Sequence, residues 1–248
     1  MFIQSFIDQV QRCRQAVTKA LTGSPARRRD RATQTPTALE SRKLLAAVVG
    51  GNLKIVGSNR VDNVLVDDVT VNGRSMIRVN HNGFKQLFNR SSVSGEIQFW
   101  GYGGNDNFDY LGTKDCYLDG GTGNDYLSGD FGWDYIIGGD GHDTLEGWAG
   151  NDDIYGGYGN DLLDGGNGHD YLFGQAGNDL LGGGAGDDLL NGGSGYDVAF
   201  GGSGFDDFEE VGYDPGSAFY FPVMTRFGIQ YGTSGVQDFN RFDDLIVS

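Results

Sequence analysis

Gly120-Gly121-Thr122-Gly123-Asn124-Asp125-Tyr126-Leu127-Ser128 opens a stretch, 120–209, in which one nine-residue phrase returns ten times without a break in register. The copies begin at Gly120, Gly129, Gly138, Gly147, Gly156, Gly165, Gly174, Gly183, Gly192 and Gly201. First and fourth places are always Gly. The sixth is always Asp: Asp125, Asp134, Asp143, Asp152, Asp161, Asp170, Asp179, Asp188, Asp197 and Asp206. The eighth is always apolar: Leu127, Ile136, Leu145, Ile154, Leu163, Leu172, Leu181, Leu190, Ala199 and Phe208.

Such a phrase dictates a local shape. Six Gly-rich residues form a tight turn, because glycine enters positive φ at little steric cost. The last three form a short strand whose middle side chain, at the eighth place, points inward. Two phrases then make one eighteen-residue coil of turn, strand, turn, strand, with two parallel sheets facing each other. Stacked coils bury a Leu/Ile ladder that no single repeat buries alone. The expected fold is all-β, a parallel β-roll solenoid. A flexible Gly/Asp linker is excluded, since low-complexity linkers lack a periodic apolar place.

The same period puts the aspartates in rows. Each Asp faces another one coil away, about 4.8 Å along the stack, where unneutralised carboxylates repel. A hard divalent cation between turns relieves that repulsion, and calcium takes about 6–8 oxygen ligands in flexible geometry. The phrase resembles the G-G-x-G-x-D-x-U-x nonapeptide of the hemolysin-type calcium-binding (RTX) family. Resemblance implies several Ca2+ ions, each held by an Asp and turn carbonyls of one loop with those of the loop two repeats on. The implied pairs are Asp125/Asp143, Asp134/Asp152, Asp143/Asp161 and onward to Asp188/Asp206. The implied carbonyl donors are Gly121, Gly123, Gly139, Gly141, Gly157, Gly159, Gly166, Gly168, Gly184, Gly186, Gly193 and Gly195. An earlier copy, Gly101–Asp109, adds Asp106.

Charge follows the repeats. Residues 1–100 carry 15 Lys+Arg against 7 Asp+Glu, a balance of +8, whereas 101–210 carry 1 against 23, a balance of −22. An acidic surface of this size excludes nucleic acid as a partner of the repeats. It also predicts that they are largely disordered without calcium, because short strands do not offset repulsion plus chain entropy. Cys13 and Cys116 suggest neither a disulfide framework nor a thiolate metal site. No run approaches the eighteen apolar residues of a membrane span.

Outside the repeats the chain divides into 1–47, 48–100 and 211–248 around the roll of 101–210. Residues 1–22 place Ile3, Phe6, Ile7, Val10, Val17 and Leu21 at helical spacing, which reads either as a membrane-surface or targeting helix or as a helix packed on a neighbour. Arg27, Arg28, Arg29 and Arg31 mark 23–38 as a basic linker. Leu39-Glu40-Ser41-Arg42-Lys43-Leu44-Leu45 resembles the Leu-Glu-Pro-Arg-x-Leu-Leu element of exported bacterial proteins, with Ser41 in place of the proline. It implies export, with cleavage shortly after Ala46 or Ala47. Residues 48–100 alternate as strands, with Asn72-Gly73 and Asn82-Gly83 as turns. Gly57–Val64 reads as a decayed repeat that kept Asp62. This segment is expected to cap and nucleate the roll. Tyr110–Leu118 reads as an irregular copy with Asp115 in the sixth place and Asp119 as an insertion. The ending Val236–Val247 resembles the D-F-x-x-x-x-D-x-I segment that closes RTX rolls near a secretion signal. There Asp238, Asp243 and Asp244 supply either a terminal calcium site or part of a plain cap.

No catalytic residue is expected. His142 and His169 occupy the variable fifth place, and His81 neighbours a turn. There is no H-E-x-x-H, and Ser194 and Ser203 lie in repeat turns without a nucleophile elbow. Calcium binding by a secreted or cell-surface protein is the expected function. One surface exceeds the bare repeat: Tyr135, Tyr155, Tyr171 and Phe173 point outward from one sheet. They either bind an extracellular polysaccharide or surface protein, or are covered by another part of the chain.

Overall fold

A computed structural model describes residues 45–210, 221–225 and 228–232. The helix expected over 1–22, the basic linker, the export-like heptad up to Leu44 and the closing segment Val236–Val247 lie outside the described residues. Among the described residues no helix is long and apolar enough to cross a membrane.

The lead-in contributes β1 (Leu45–Val49), β2 (Asn52–Val56), β3 (Asn63–Val71), β4 (Arg74–His81), β5 (Phe84–Asn89) and β6 (Ile97–Trp100). The first coils follow with β7 (Asn107–Leu111), β8 (Cys116–Thr122) and β9 (Tyr126–Ser128). Then come β10 (Tyr135–Asp140), β11 (Thr144–Ala149), β12 (Asp153–Tyr158), β13 (Leu162–Asn167), β14 (Tyr171–Ala176) and β15 (Leu180–Ala185). The series ends with β16 (Leu189–Asn191), β17 (Val198–Ser203), β18 (Asp207–Glu209), β19 (Phe221–Thr225) and β20 (Gly228–Gly232).

Alternate strands share a sheet. One runs β1-β2-β6-β8-β10-β12-β14-β16-β18, the other β20-β19-β17-β15-β13-β11-β9-β7-β3-β4-β5. Within the roll the strands are parallel and in register at a spacing of eighteen, so Tyr135 faces Asp153 and Asp153 faces Tyr171. This is the expected β-roll. The eighth-place side chains from Leu127 to Leu190 have no exposed surface and form one core between the sheets. Each contributes roughly 1.5–3 kcal/mol of burial.

Two local expectations are corrected. Most strands of the roll are six residues long, not three: β10 takes the last three places of one repeat and the first three of the next. The turn proper is only the fourth to sixth places. The glycines continue the ladder because third-place N–H groups still reach the previous coil, as Ala149 N donates to Asp130 O at 2.9 Å. The irregular copy is also framed one residue later than expected. Tyr117 pairs with Tyr135 and Leu118 with Ile136, which puts Cys116, not Asp115, level with Asp134. Leu118 is fully buried, and its burial sets the frame. The extra residue is therefore absorbed before Cys116, and Asp119 is an ordinary ninth-place residue opposite Ile137.

The lead-in is the beginning of the same stack. β2 pairs in parallel with β6, and β3 with β7. Both residues of each two-residue turn, Gly50-Gly51, Asn72-Gly73 and Asn82-Gly83, have positive φ, the type I′ geometry of a tight hairpin. The last two fold β3, β4 and β5 into an antiparallel meander at the end of the larger sheet. The expected cleavage point falls inside β1, where Ala46 and Ala47 are buried.

Candidate metal centre

The repeat turns among the described residues sit on two edges. The first edge carries the turns ending in Asp62, Asp106, Asp125, Asp143, Asp161, Asp179 and Asp197; the second carries those ending in Asp134, Asp152, Asp170, Asp188 and Asp206. Gly121, Gly123, Gly139, Gly141, Gly157, Gly159, Gly193 and Gly195 lie on the first edge, and Gly166, Gly168, Gly184 and Gly186 on the second. All twelve have positive φ.

Each carboxylate is divided between two tasks. Its Oδ1 accepts the backbone N–H of the sixth-place residue one coil earlier: Asp125 N donates to Asp143 Oδ1 at 2.8 Å and Asp134 N to Asp152 Oδ1 at 2.8 Å. The chain of such bonds runs along the first edge from Asp62 N on Asp106 Oδ1, at 2.8 Å. Its Oδ2 has no partner. This holds for Asp106, Asp125, Asp134, Asp143, Asp152, Asp161, Asp170, Asp179, Asp188 and Asp197, all buried. The last rung, Asp206, is half-buried, and its Oδ1 takes the N–H of Asp188 at 3.2 Å.

Ten buried, unpaired carboxylate oxygens in one protein are not a stable arrangement of charge by themselves. Burial pushes the carboxyl of Asp106 up to about 8, against the lowering effect of its backbone hydrogen bond. Burial and then the neighbouring Asp152 raise Asp134 to about 8. Asp143, Asp152 and Asp179 are raised to about 7 and Asp170 to about 6, again chiefly by burial. Protons or a cation must satisfy these rows.

The donor set fits a hard cation. Among the described residues no three Asp, Glu, His or Cys side chains converge on one point, so side chains alone make no site. Backbone carbonyls are the further oxygens at these turns. A Cβ on Gly139 would lie 2.0 Å from the Gly121 oxygen, and one on Gly141 would lie 1.7 Å from the Gly123 oxygen. Turn carbonyls of one coil thus stand against the glycines of the next, where any side chain would block them. A carboxylate with backbone carbonyls is an all-oxygen set, suited to calcium and unsuited to thiolate- or imidazole-seeking metals.

Residues 117–145, 146–181 and 182–208 match the RTX calcium-binding nonapeptide repeat, in four copies. This part of the chain consists of RTX repeats. RTX repeats bind several calcium ions, and the unpaired Oδ2 row is the feature of this chain that calls for them. No curated protein matches the chain.

Sequence reading missed one feature of these RTX turns. Fifth places form a second ladder running the other way: Asn124 Oδ1 accepts His142 N at 3.0 Å, His142 Nδ1 accepts Asn160 N at 2.7 Å, and Asn160 Oδ1 accepts Asn178 N at 2.8 Å. His169 Nδ1 likewise takes Asp187 N at 2.8 Å on the second edge. The two histidines are therefore turn-to-turn acceptors, and the recurring Asn-Asp pair was the available signal. The outward aromatics expected on one sheet lie against one another. Tyr117 and Tyr135 stack at 5.6 Å, Tyr135 and Tyr155 meet at 5.2 Å, and Tyr155 and Phe173 stack at 5.1 Å. Tyr171 lies beside them on β14, about half exposed at 51%.

Proposed function

We propose that this is a secreted or cell-surface calcium-binding protein, without enzymatic activity, whose roll assembles when the exported chain meets calcium. In this reading residues 48–100 lead into the roll of 101–210, while 1–47 and 211–248 serve export and closure. The observation that carries it is the row of buried, unpartnered Oδ2 atoms. Asp106, Asp125, Asp143, Asp161, Asp179 and Asp197 would hold ions on one edge, and Asp134, Asp152, Asp170, Asp188 and Asp206 on the other, each with second- and fourth-place carbonyls. Calcium supplies the positive charge that the carboxylates need, and does so with many oxygen ligands in flexible geometry. The glycine turns contribute carbonyls and exclude side chains, and in the assembled roll the Oδ1 bonds fix each carboxylate. Outside the cell calcium is abundant enough for modules binding at about 10⁻⁴ to 10⁻³ M.

The test is a calcium titration of the full chain at neutral pH followed by far-UV circular dichroism, with magnesium as control. A steep gain of β signal with calcium and little with magnesium is expected, since magnesium demands near-octahedral geometry. A chain whose spectrum is the same in chelator and in calcium would sink the proposal.

The aromatic stack favours a second reading for the outer face of the smaller sheet, as a platform for an extracellular polysaccharide or surface protein. The Tyr155→Ser, Tyr171→Ser double variant separates platform from packing. A platform predicts lost retention on a polysaccharide column at unchanged thermal midpoint. A midpoint lowered by several degrees with no retention in either form would leave the rings a purely structural role.

A further inference from the structure

The first rung of the Asp row differs from all the rest. Asp62 ends the turn between β2 and β3, and its N–H donates to Asp106 Oδ1 like any other rung. Yet both of its carboxylate oxygens are occupied by the protein itself. Oδ2 accepts Ser58 N at 2.7 Å and Ser58 Oγ at 3.0 Å. Oδ1 is met by His81 Nε2 at 2.7 Å and by Asn82 Nδ2 at 2.9 Å. Asp62 is 3% exposed and His81 8%, so these bonds are sheltered from water. Burial works against the Asp62 charge, but the hydrogen bonds from His81 and Ser58 outweigh it and hold the carboxyl below its ordinary value. A carboxylate acceptor places the imidazole proton on Nε2.

The second edge changes character at the same end. Level with Asp134 the earlier coils carry Cys116, Ile97 and Leu53, all buried. Where later coils have first-place glycine, β7 has the fully buried Tyr110, and Phe99 stacks on Phe108 at 4.9 Å across the core. At this end Cys116, Ile97, Leu53 and Tyr110 thus stand where later coils have carboxylates and glycines.

We propose that the chain carries its own replacement for calcium at the N-terminal end: His81 and Asn82, delivered by the β4–β5 hairpin, satisfy the Asp62 carboxylate with hydrogen bonds, so that residues 45–119 fold without metal and template the calcium-dependent coils. The proposal rests on the calcium reading above. It gives assembly a direction, because the Asp62 rung presents a finished coil edge to the next turn before any ion binds. Asn82, at positive φ in the turn, is held there by its bonds to Asn63 and Asp62.

Hydrogen–deuterium exchange of the full chain in chelator tests it, on the wild type, His81→Leu and His81→Gln. Wild-type peptides from 52–110 are expected to be protected while those from 135–209 exchange freely. His81→Leu loses the protection of 52–110, and with one charge-assisted bond gone its calcium midpoint rises about threefold. His81→Gln, whose amide N–H replaces the Nε2 donor, keeps both. Equal exchange across 52–209 in wild-type chelator samples, whether fast or slow, overturns the proposal, as does a His81→Leu protein that matches wild type. A wild-type chain that shows no calcium transition would defeat the calcium reading instead, while the exchange contrast in chelator would still decide the role of His81.

Discussion

Replacing Gly159 by Ala is expected to abolish the fully assembled roll at any calcium concentration. Gly159 has φ +138°, and a Cβ there would lie 1.4 Å from the Gly141 oxygen and 2.5 Å from its carbonyl carbon. The obstacle is backbone, so no rotamer change relieves it. Moving the coil away would break the bonds that fix the spacing, among them Gly141 N to Tyr158 O and Gly159 N to Ala176 O, both 2.7 Å. Strain at a positive-φ site together with lost stacking belongs with the largest single-residue effects, about 4 kcal/mol or more. Gly182→Ala is the control. Its Cβ would meet nothing nearer than the Asp164 carboxylate at 3.7 Å, and an alanine there is neutral or stabilising by about 0.5 kcal/mol. Far-UV circular dichroism in saturating calcium, with thermal melts, compares the two. Equal behaviour of the two variants would mean that coil-to-coil contact at the fourth place is not what the roll requires.

The second large effect is on pH. The folded, metal-free roll holds the carboxyls of Asp106 and Asp134 near 8 and those of Asp143, Asp152 and Asp179 near 7, against 3.8 for an ordinary Asp. Because these values are raised on folding, the folded form binds the protons more tightly than the unfolded chain. Their contribution to stability is then complete below about pH 4 and is lost as pH rises through about 6 to 8. In chelator the chain should therefore gain β structure on acidification from about pH 8.5 to about pH 4.5, with protons doing the neutralising. In calcium the trend reverses, because the same protons compete with the ion for Oδ2. The two pH profiles should converge at the acid end. A metal-free chain as unstructured at about pH 4.5 as at about pH 8.5 would show that carboxylate charge is not what keeps the roll apart.

Much of this was legible in the residues, for a physical reason. A repeat of nine with one apolar place and one Asp leaves few ways to bury the first and group the second, and stacking multiplies a weak local preference ten times. Leu127 to Leu190 and Asp125 to Asp206 were placed by period alone. Where the period fails, local reading fails too. Asp115 read as the sixth place of an irregular copy because it is an aspartate at about the right distance from its neighbours. Cys116 holds that place because Leu118 has to face Ile136 across the ladder. His142 and His169 looked variable since an imidazole nitrogen and an amide oxygen do the same work as acceptors while differing in name.

By itself, then, the order of residues determined the solenoid, its eighteen-residue coil, its buried Leu/Ile column and the two rows of aspartates, because each follows from spacing along one chain. The tertiary structure alone decided what each carboxylate oxygen meets. It gave Oδ1 to a backbone N–H one coil earlier and left Oδ2 bare along the roll. It also brought His81 to Asp62 across nineteen positions of sequence, a contact made by a hairpin folding back over the first turn. Contacts between non-repeating segments depend on where the chain returns in space, and no period along the sequence records that.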